Sequence, residues 1–243
     1  SKDLSKRDEV YCYADRFDEK YDLVRTVRKG KWKYIRNYQG FYPDGLQNNY
    51  RYRMLAYQEW RELFNAGKLN DKQSQFFRPR PSEQLFDLSV DPHEVNDLSG
   101  KPQFKKNLLE LRSKLNHQLV KMNDLSLYPE SYMIENALGD PLAFGRSRNE
   151  EIKSLVEIAD LALLPFENVK TQIKKFLKNG SVWEKYWACM VCSQFGKKAK
   201  TISPILKLLV KENNLMVRMR AIEALALVVG ENPMPGLIEI SNK

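Results

Sequence analysis

The stretch from Arg80 to Leu98, RPSEQLFDLSVDPHEVNDL, divides the chain. Gln84, Phe86, Leu88 and Val90 alternate with Leu85, Asp87 and Ser89, the period of a strand with one better-buried face. Asp91 before Pro92 then predicts a helix N-cap with proline at the first helical position, and Glu94, three residues after the cap, completes a capping-box pattern. A strand running straight into one helical turn is expected. Strand patterns dominate the residues before this stretch, and helical periods dominate those after it.

Upstream, Val10, Cys12 and Ala14 alternate with Tyr11 and Tyr13, predicting a strand that enters a charged loop, DRFDEKYD, from Asp15 to Asp22. LVRTVR and WKYIRNY flank Lys29-Gly30, a short gap with a glycine free to take positive φ, and predict a β-hairpin. Tyr42-Pro43-Asp44-Gly45 is a turn by composition. A helix is expected from Tyr50 to Ala66, closed by Gly67, and Asn70 with Gln73 forms a capping box opening a short helix toward Phe76 and Phe77. Downstream, Phe104, Leu108, Leu111, Leu115, Leu119 and Met122 step by three and four, the stripe of an amphipathic helix that should lie across the sheet.

Pro129, Gly139-Asp140-Pro141 and Gly145 punctuate residues 128–148, which predicts a surface linker. Beyond it, Val182 to Gly196 and Val217 to Gly230 superpose with their closing glycines 34 positions apart. A helix pair recurring at that spacing resembles HEAT repeats and predicts an α-solenoid. The fold expectation is therefore α+β: a small antiparallel sheet packed by a long helix over residues 1–127, a linker over 128–148, and an all-α HEAT-like solenoid over 149–243.

The net charge of +9 is spread through the chain, 25 basic against 21 acidic residues before Ser147 and 15 against 10 from it onward. A spread excess suits attraction to sulfated glycans better than nucleic acid, which calls for a basic stripe. Three cysteines make no disulfide framework, and no apolar run approaches a membrane span. SKDLSKRDEV has no apolar core of a signal peptide.

The strand "leucine, aromatic, aspartate, leucine" followed by Asp-Pro-x-Glu, an asparagine and a leucine closely resembles the C-terminal subdomain of the type I, formylglycine-dependent sulfatases. The resemblance extends upstream through YADRFDEKYDLVRTVRKGKWKYIRNY (Tyr13 to Tyr38) and downstream to LSLYPE (Leu125 to Glu130), roughly the first half of the chain. Within the family it is most similar to the sulfamidase and heparan-sulfatase-like branch. The resemblance implies an exported (periplasmic or extracellular) sulfuric ester hydrolase acting on O- or N-sulfate of a sulfated glycan, with this chain as a C-terminal piece whose partner is the N-terminal catalytic part.

Sulfatases use a Cys/Ser-x-Pro-x-Arg motif converted to formylglycine, and a divalent cation, calcium, held by aspartates and an asparagine. Cys12, Cys189 and Cys192 all lie outside such a motif, and no paired-aspartate block occurs. The segment alone is expected to be inert, with no catalytic residue, no metal ligand and no cofactor of its own. The resemblance places the loop carrying Asp15, Arg16, Asp18 and Glu19 beside the substrate, where carboxylates accept sugar hydroxyls and arginine grips sulfate; an interdomain salt-bridge cluster is the alternative. For the basic hairpin residues Arg25, Arg28, Lys29, Lys31, Lys33 and Arg36, a solvated strand face is the simpler reading beside an anion track. Cys189-x-x-Cys192 is expected to pack in a core, and His93 to be a solvated neighbour of Asp91 and Glu94. A rival reading is a non-catalytic HEAT-type module that binds a polyanion or protein partner through Lys174, Lys175, Lys178, Lys197, Lys198 and Lys200.

Overall fold

The structure is a computed structural model that describes residues 8–17, 20–46 and 48–242. It is α+β, and the chain divides into two compact units, residues 1–117 and 118–243.

The first unit holds a four-stranded antiparallel sheet in sequential order. Its strands are β1 (Glu9–Phe17), β2 (Lys20–Lys29), β3 (Trp32–Asn37) and β4 (Glu83–Asp87). The hairpin expected around Lys29-Gly30 is present: Lys29 pairs with Trp32, and Gly30 takes the positive φ of 56° that a tight reversal demands. Tyr11, Val27, Tyr34 and Leu85 stand in one row across the four strands, and the last three are wholly buried.

Between β3 and β4 run α1 (Asn49–Tyr52), α2 (Leu55–Asn65) and α3 (Asp71–Ser74). The single helix expected from Tyr50 to Ala66 is broken at Met54, which is extended. The break brings both the Tyr52 and the Tyr57 hydroxyls to the Gly45 carbonyl, with the rings stacked 5.3 Å apart. Tyr57, Trp60, Phe64, Phe76 and Phe77 complete a small aromatic core, and the Asn70–Gln73 capping box forms as expected.

After β4 the structure departs from the expected helical turn. The strand ends at Asp87, whose Oδ1 accepts from the Ser89 backbone and hydroxyl, and Val90 turns out to solvent. Both faces of β4 are buried, Leu85 on one and Phe86 on the other. Asp91 caps no helix: its carboxylate accepts from the amides of Val95 and Asn96, at 3.2 and 2.8 Å, which ties off a loop. Glu94 sits at φ 55° and turns away from the cap's amide; its carboxylate accepts from Lys33 on β3 instead.

α4 (Lys105–Met122) then crosses the sheet, as its apolar stripe requires. Leu108, Leu111 and Leu115 are buried, and three ion pairs fasten the helix to three different strands: Glu110 to Lys29, Arg112 to Glu83 and Lys114 to Glu9. Arg112 grips Glu83 with both Nε (2.9 Å) and Nη2 (2.5 Å), and the Tyr34 hydroxyl donates to the same carboxylate.

The second unit is helical. Residues 128–148, expected as a linker, hold α5 (Glu130–Asn136) and α6 (Pro141–Ser147). Proline and glycine here start and separate helices, and Tyr128, Tyr132 and Phe144 pack with Trp183 in one aromatic cluster. The helices α7 (Asn149–Asp160), α8 (Phe166–Asn179), α9 (Val182–Phe195), α10 (Ser203–Leu209), α11 (Leu215–Val229) and α12 (Met234–Ser241) come next. α9 lies between α7 and α11, while α8 touches α10. α9 and α11 end on Gly196 and Gly230, both at positive φ, the closing positions expected from the 34-residue superposition. No helix among the described residues is long and apolar enough to cross a membrane.

Candidate functional site

The candidate substrate residues lie where β1 turns into β2. The expected eight-residue polar loop is mostly strand, since Arg16 pairs with Tyr21 and Phe17 with Lys20. Asp18 and Glu19 lie outside the described residues. The register slips between Ala14 and Arg16, where the single residue Asp15 of β1 stands opposite Asp22 and Leu23 of β2, so β2 carries the extra residue of a β-bulge, a device that re-aims side chains at a sheet edge.

Asp15 is aimed inward. Its Oδ1 accepts 2.6 Å from Arg25 Nη1, and Arg25, nearly buried, also donates to the Val24 carbonyl and stands 5.7 Å from the exposed Tyr13 ring. The carboxylate is therefore partly neutralised by its own sheet, while Arg16 beside it is exposed. The structure thus separates two neighbours that the sequence treats alike.

A second polar cluster has no signal in the sequence. Arg80 lies 2.8 Å from the Asp22 carboxylate and 3.4 Å from Asp44, and its backbone amide donates to Gly40. Asn37 donates to the Pro81 carbonyl and to Gln84, and the Gln39 side-chain nitrogen is buried with no hydrogen-bond acceptor among the described residues. These residues come from β2, β3 and the two segments between β3 and β4. Arg80 and Asp22 are 58 positions apart, and no local period marks such a pair.

Most of the basic hairpin residues are paired within the chain, where a solvated face was expected. Lys29, Lys31 and Lys33 pair with Glu110, Asp87 and Glu94 at 2.6 to 2.7 Å, Arg25 pairs with Asp15, and buried Arg36 donates to the Ser82 and Asn37 carbonyls. Arg28 is exposed and donates to the Gly30 carbonyl, and Lys31 is exposed although paired. The lysine bonds hold the Glu110 and Asp87 carboxyls below the ordinary carboxylate range.

His93 is exposed. Cys189 and Cys192 have no exposed surface, and burial pushes both thiols up, Cys192 to about 12, so that neither is a thiolate at neutral pH. Among the described residues, no three His, Cys, Asp or Glu side chains gather as metal ligands.

By sequence, the chain carries a sulfatase-related segment. Over 133 residues, 53% of the chain, it is 41% identical to the ulvan-active sulfatase of Formosa agariphila. The match covers 22% of that relative, so the chain spans about a fifth of the length of the curated protein it matches. No family model matches the chain.

Proposed function

We propose that the chain is the C-terminal part of an exported sulfatase, hydrolysing sulfate esters or N-sulfate of a sulfated glycan. In this reading residues 1–127 complete the substrate cleft and residues 149–243 form a HEAT-like helical extension, while formylglycine and calcium are supplied by the N-terminal catalytic part. The observation that carries the proposal is the 41% identity to a sulfatase over a segment that covers only 22% of it. Ulvan, the polymer in that relative's name, is the first substrate to test, ahead of the heparan sulfate that the sulfamidase-like branch would favour.

Arg16 is the side chain proposed to meet the sulfate, with Asp18 and Glu19 toward sugar hydroxyls; Asp15 acts by holding the bulge that presents Arg16. The test has two parts. The chain alone should not hydrolyse an aryl sulfate, and steady turnover would overturn the assignment. In a longer protein that includes the residues encoded upstream of Ser1, Arg16→Ala should raise KM for the glycan while aryl sulfate turnover holds; unchanged glycan kinetics would remove Arg16 from the cleft.

A second reading rests on the helical unit. Lys174, Lys175, Lys178, Lys197, Lys198 and Lys200 form no ion pair among the described residues, in contrast to the paired hairpin lysines. A polyanion-binding module predicts salt-sensitive association that is lost when these six are neutralised.

A further inference from the structure

The β2–β3 turn and the first turns of α4 enclose a cleft of about 350 Å³, within the range typical of small-ligand pockets and at its small end. Asp8, Lys29, Lys31, Trp32, Asn107 and Glu110 line it. The wall at the turn is closely fitted: the Gly30 amide donates to the Asp8 carbonyl, and a Cβ at Gly30 would stand 3.0 Å from the Asp8 carboxylate. Trp32 is held from behind by Phe104, ring centroids 5.6 Å apart, and Lys31 Nζ lies 4.9 Å from the indole.

Two kinds of polar group meet there. Lys29 and Lys31 are cations in pairs with Glu110 and Asp87, yet both lysine side chains remain about half exposed, 43% and 52%. Exposed pairs of this sort contribute little, so an incoming anion can recruit either ammonium at small cost. The Asp8 carboxylate, the Asn107 amide and the Trp32 indole N–H make no hydrogen bond among the described residues. Open to solvent in the cleft, the indole N–H and the side-chain amide are available to a ligand that brings its own acceptors and donors.

The combination narrows the ligand. A bare anion would meet Asp8 and Glu110, and a cation would meet both lysines. A neutral sugar would use the carboxylates and the amide for its hydroxyls but leave the lysines idle. We propose that this cleft binds one sulfated sugar residue, its sulfate against Lys29, Lys31 and the Trp32 N–H, its hydroxyls against Asp8, Asn107 and Glu110. The proposal deepens the sulfatase reading, on which it rests, by giving the chain a glycan contact of its own.

The experiment titrates the 243-residue chain with an ulvan oligosaccharide, its chemically desulfated counterpart and sodium sulfate, tracking the indole N–H resonances by NMR and affinity by calorimetry. The Trp32 resonance is the one lost in Trp32→Phe. The sulfated oligosaccharide should shift it, and Lys29→Ala should weaken binding by about tenfold or more, the size of one charge-assisted hydrogen bond, while Lys29→Arg retains most of it. Asn107→Ala should weaken the desulfated and sulfated sugars alike, and Lys153→Ala, at an exposed position of α7, should change nothing at Trp32. An unmoved Trp32 resonance, equal affinity after desulfation, an equal shift from sulfate alone, or full affinity in Lys29→Ala would each overturn the proposal. Aryl sulfate turnover by the longer protein is a separate readout: its absence sinks the sulfatase reading while leaving binding at Trp32 to be judged by itself.

Discussion

Arg220 donates a 2.8 Å hydrogen bond from Nη2 to the hydroxyl of Tyr186, 34 positions earlier. Each of the two residues stands ten positions before the glycine that closes its helix, so the bond joins equivalent places of α9 and α11. Arg220 is buried, and its other terminal nitrogen pairs with Glu223 at 2.7 Å. Burial pulls the guanidinium toward losing its proton; Tyr186 and Glu223 more than restore the balance and keep it charged.

That relationship makes Tyr186 a structural acceptor. Tyr186→Phe keeps the ring and strands a buried cationic N–H, which should cost about 1–3 kcal/mol of stability in denaturant unfolding. Paired with Arg220→Met, the double variant should lose less than the sum of the singles, because the orphaned donor is gone. Strict additivity would show that the bond carries no coupling.

The fork between Arg112 and Glu83 should be sensitive to geometry as well as charge. Arg112→Lys preserves the charge and loses the second bond, and a loss of about 1–2 kcal/mol is expected. A thermal midpoint equal to that of the unmodified chain would count against α4 being fastened at this point.

Asp91 should hold its loop through two amides. In Asp91→Ala, hydrogen exchange should accelerate at Val95 and Asn96 and leave Tyr34 and Leu85 in the sheet protected. Faster exchange across β4 instead would mean that Asp91 supports the strand as well as the loop.

Acid should destabilise the fold. Glu9, Asp87, Glu110 and Glu212 are each depressed chiefly by a lysine hydrogen bond, from Lys114, Lys31, Lys29 and Lys185. A depressed carboxylate contributes stability that is complete above its unfolded pKa of about 4 and disappears as pH falls through the lower folded value. The thermal midpoint should therefore be level from pH 7 to about 5 and fall below about 4. High salt should shrink the drop, because these pairs are only partly shielded from solvent.

The three thiols should divide one against two. Cys12 is exposed, whereas Cys189 and Cys192 are buried. A disulfide reagent at pH 8 should titrate one thiol in the native chain and three in denaturant. Rapid native modification of Cys189 would reopen the metal or redox reading of Cys-x-x-Cys.

The sequence by itself determined the features that a few consecutive residues control. Alternation and a glycine specified the hairpin at Lys29-Gly30, Asn70 and Gln73 specified their capping box, and the leucine stripe specified a helix long enough to cross the sheet. It also shows that Cys12, Cys189 and Cys192 stand outside a Cys-x-Pro-x-Arg motif, since a motif is a matter of adjacency.

Only the tertiary structure decided the fate of the charges. Lys29 meets Glu110 across 81 positions, Lys33 meets Glu94 across 61 and Lys31 meets Asp87 across 56, so residues that look merely solvated in sequence acquire partners in space. The same distance effect diverted Glu94 from its expected capping box, turned Asp15 inward to Arg25 and left Arg16 facing out. It also gave residues 128–148 helices, where Tyr128 and Tyr132 pack on Trp183 and Phe144 packs on both tyrosines. Local patterns report backbone preference and which face is apolar. Where a charge comes to rest depends on which opposite charge the fold brings within hydrogen-bonding reach, and that is set by the packing of elements far apart along the chain.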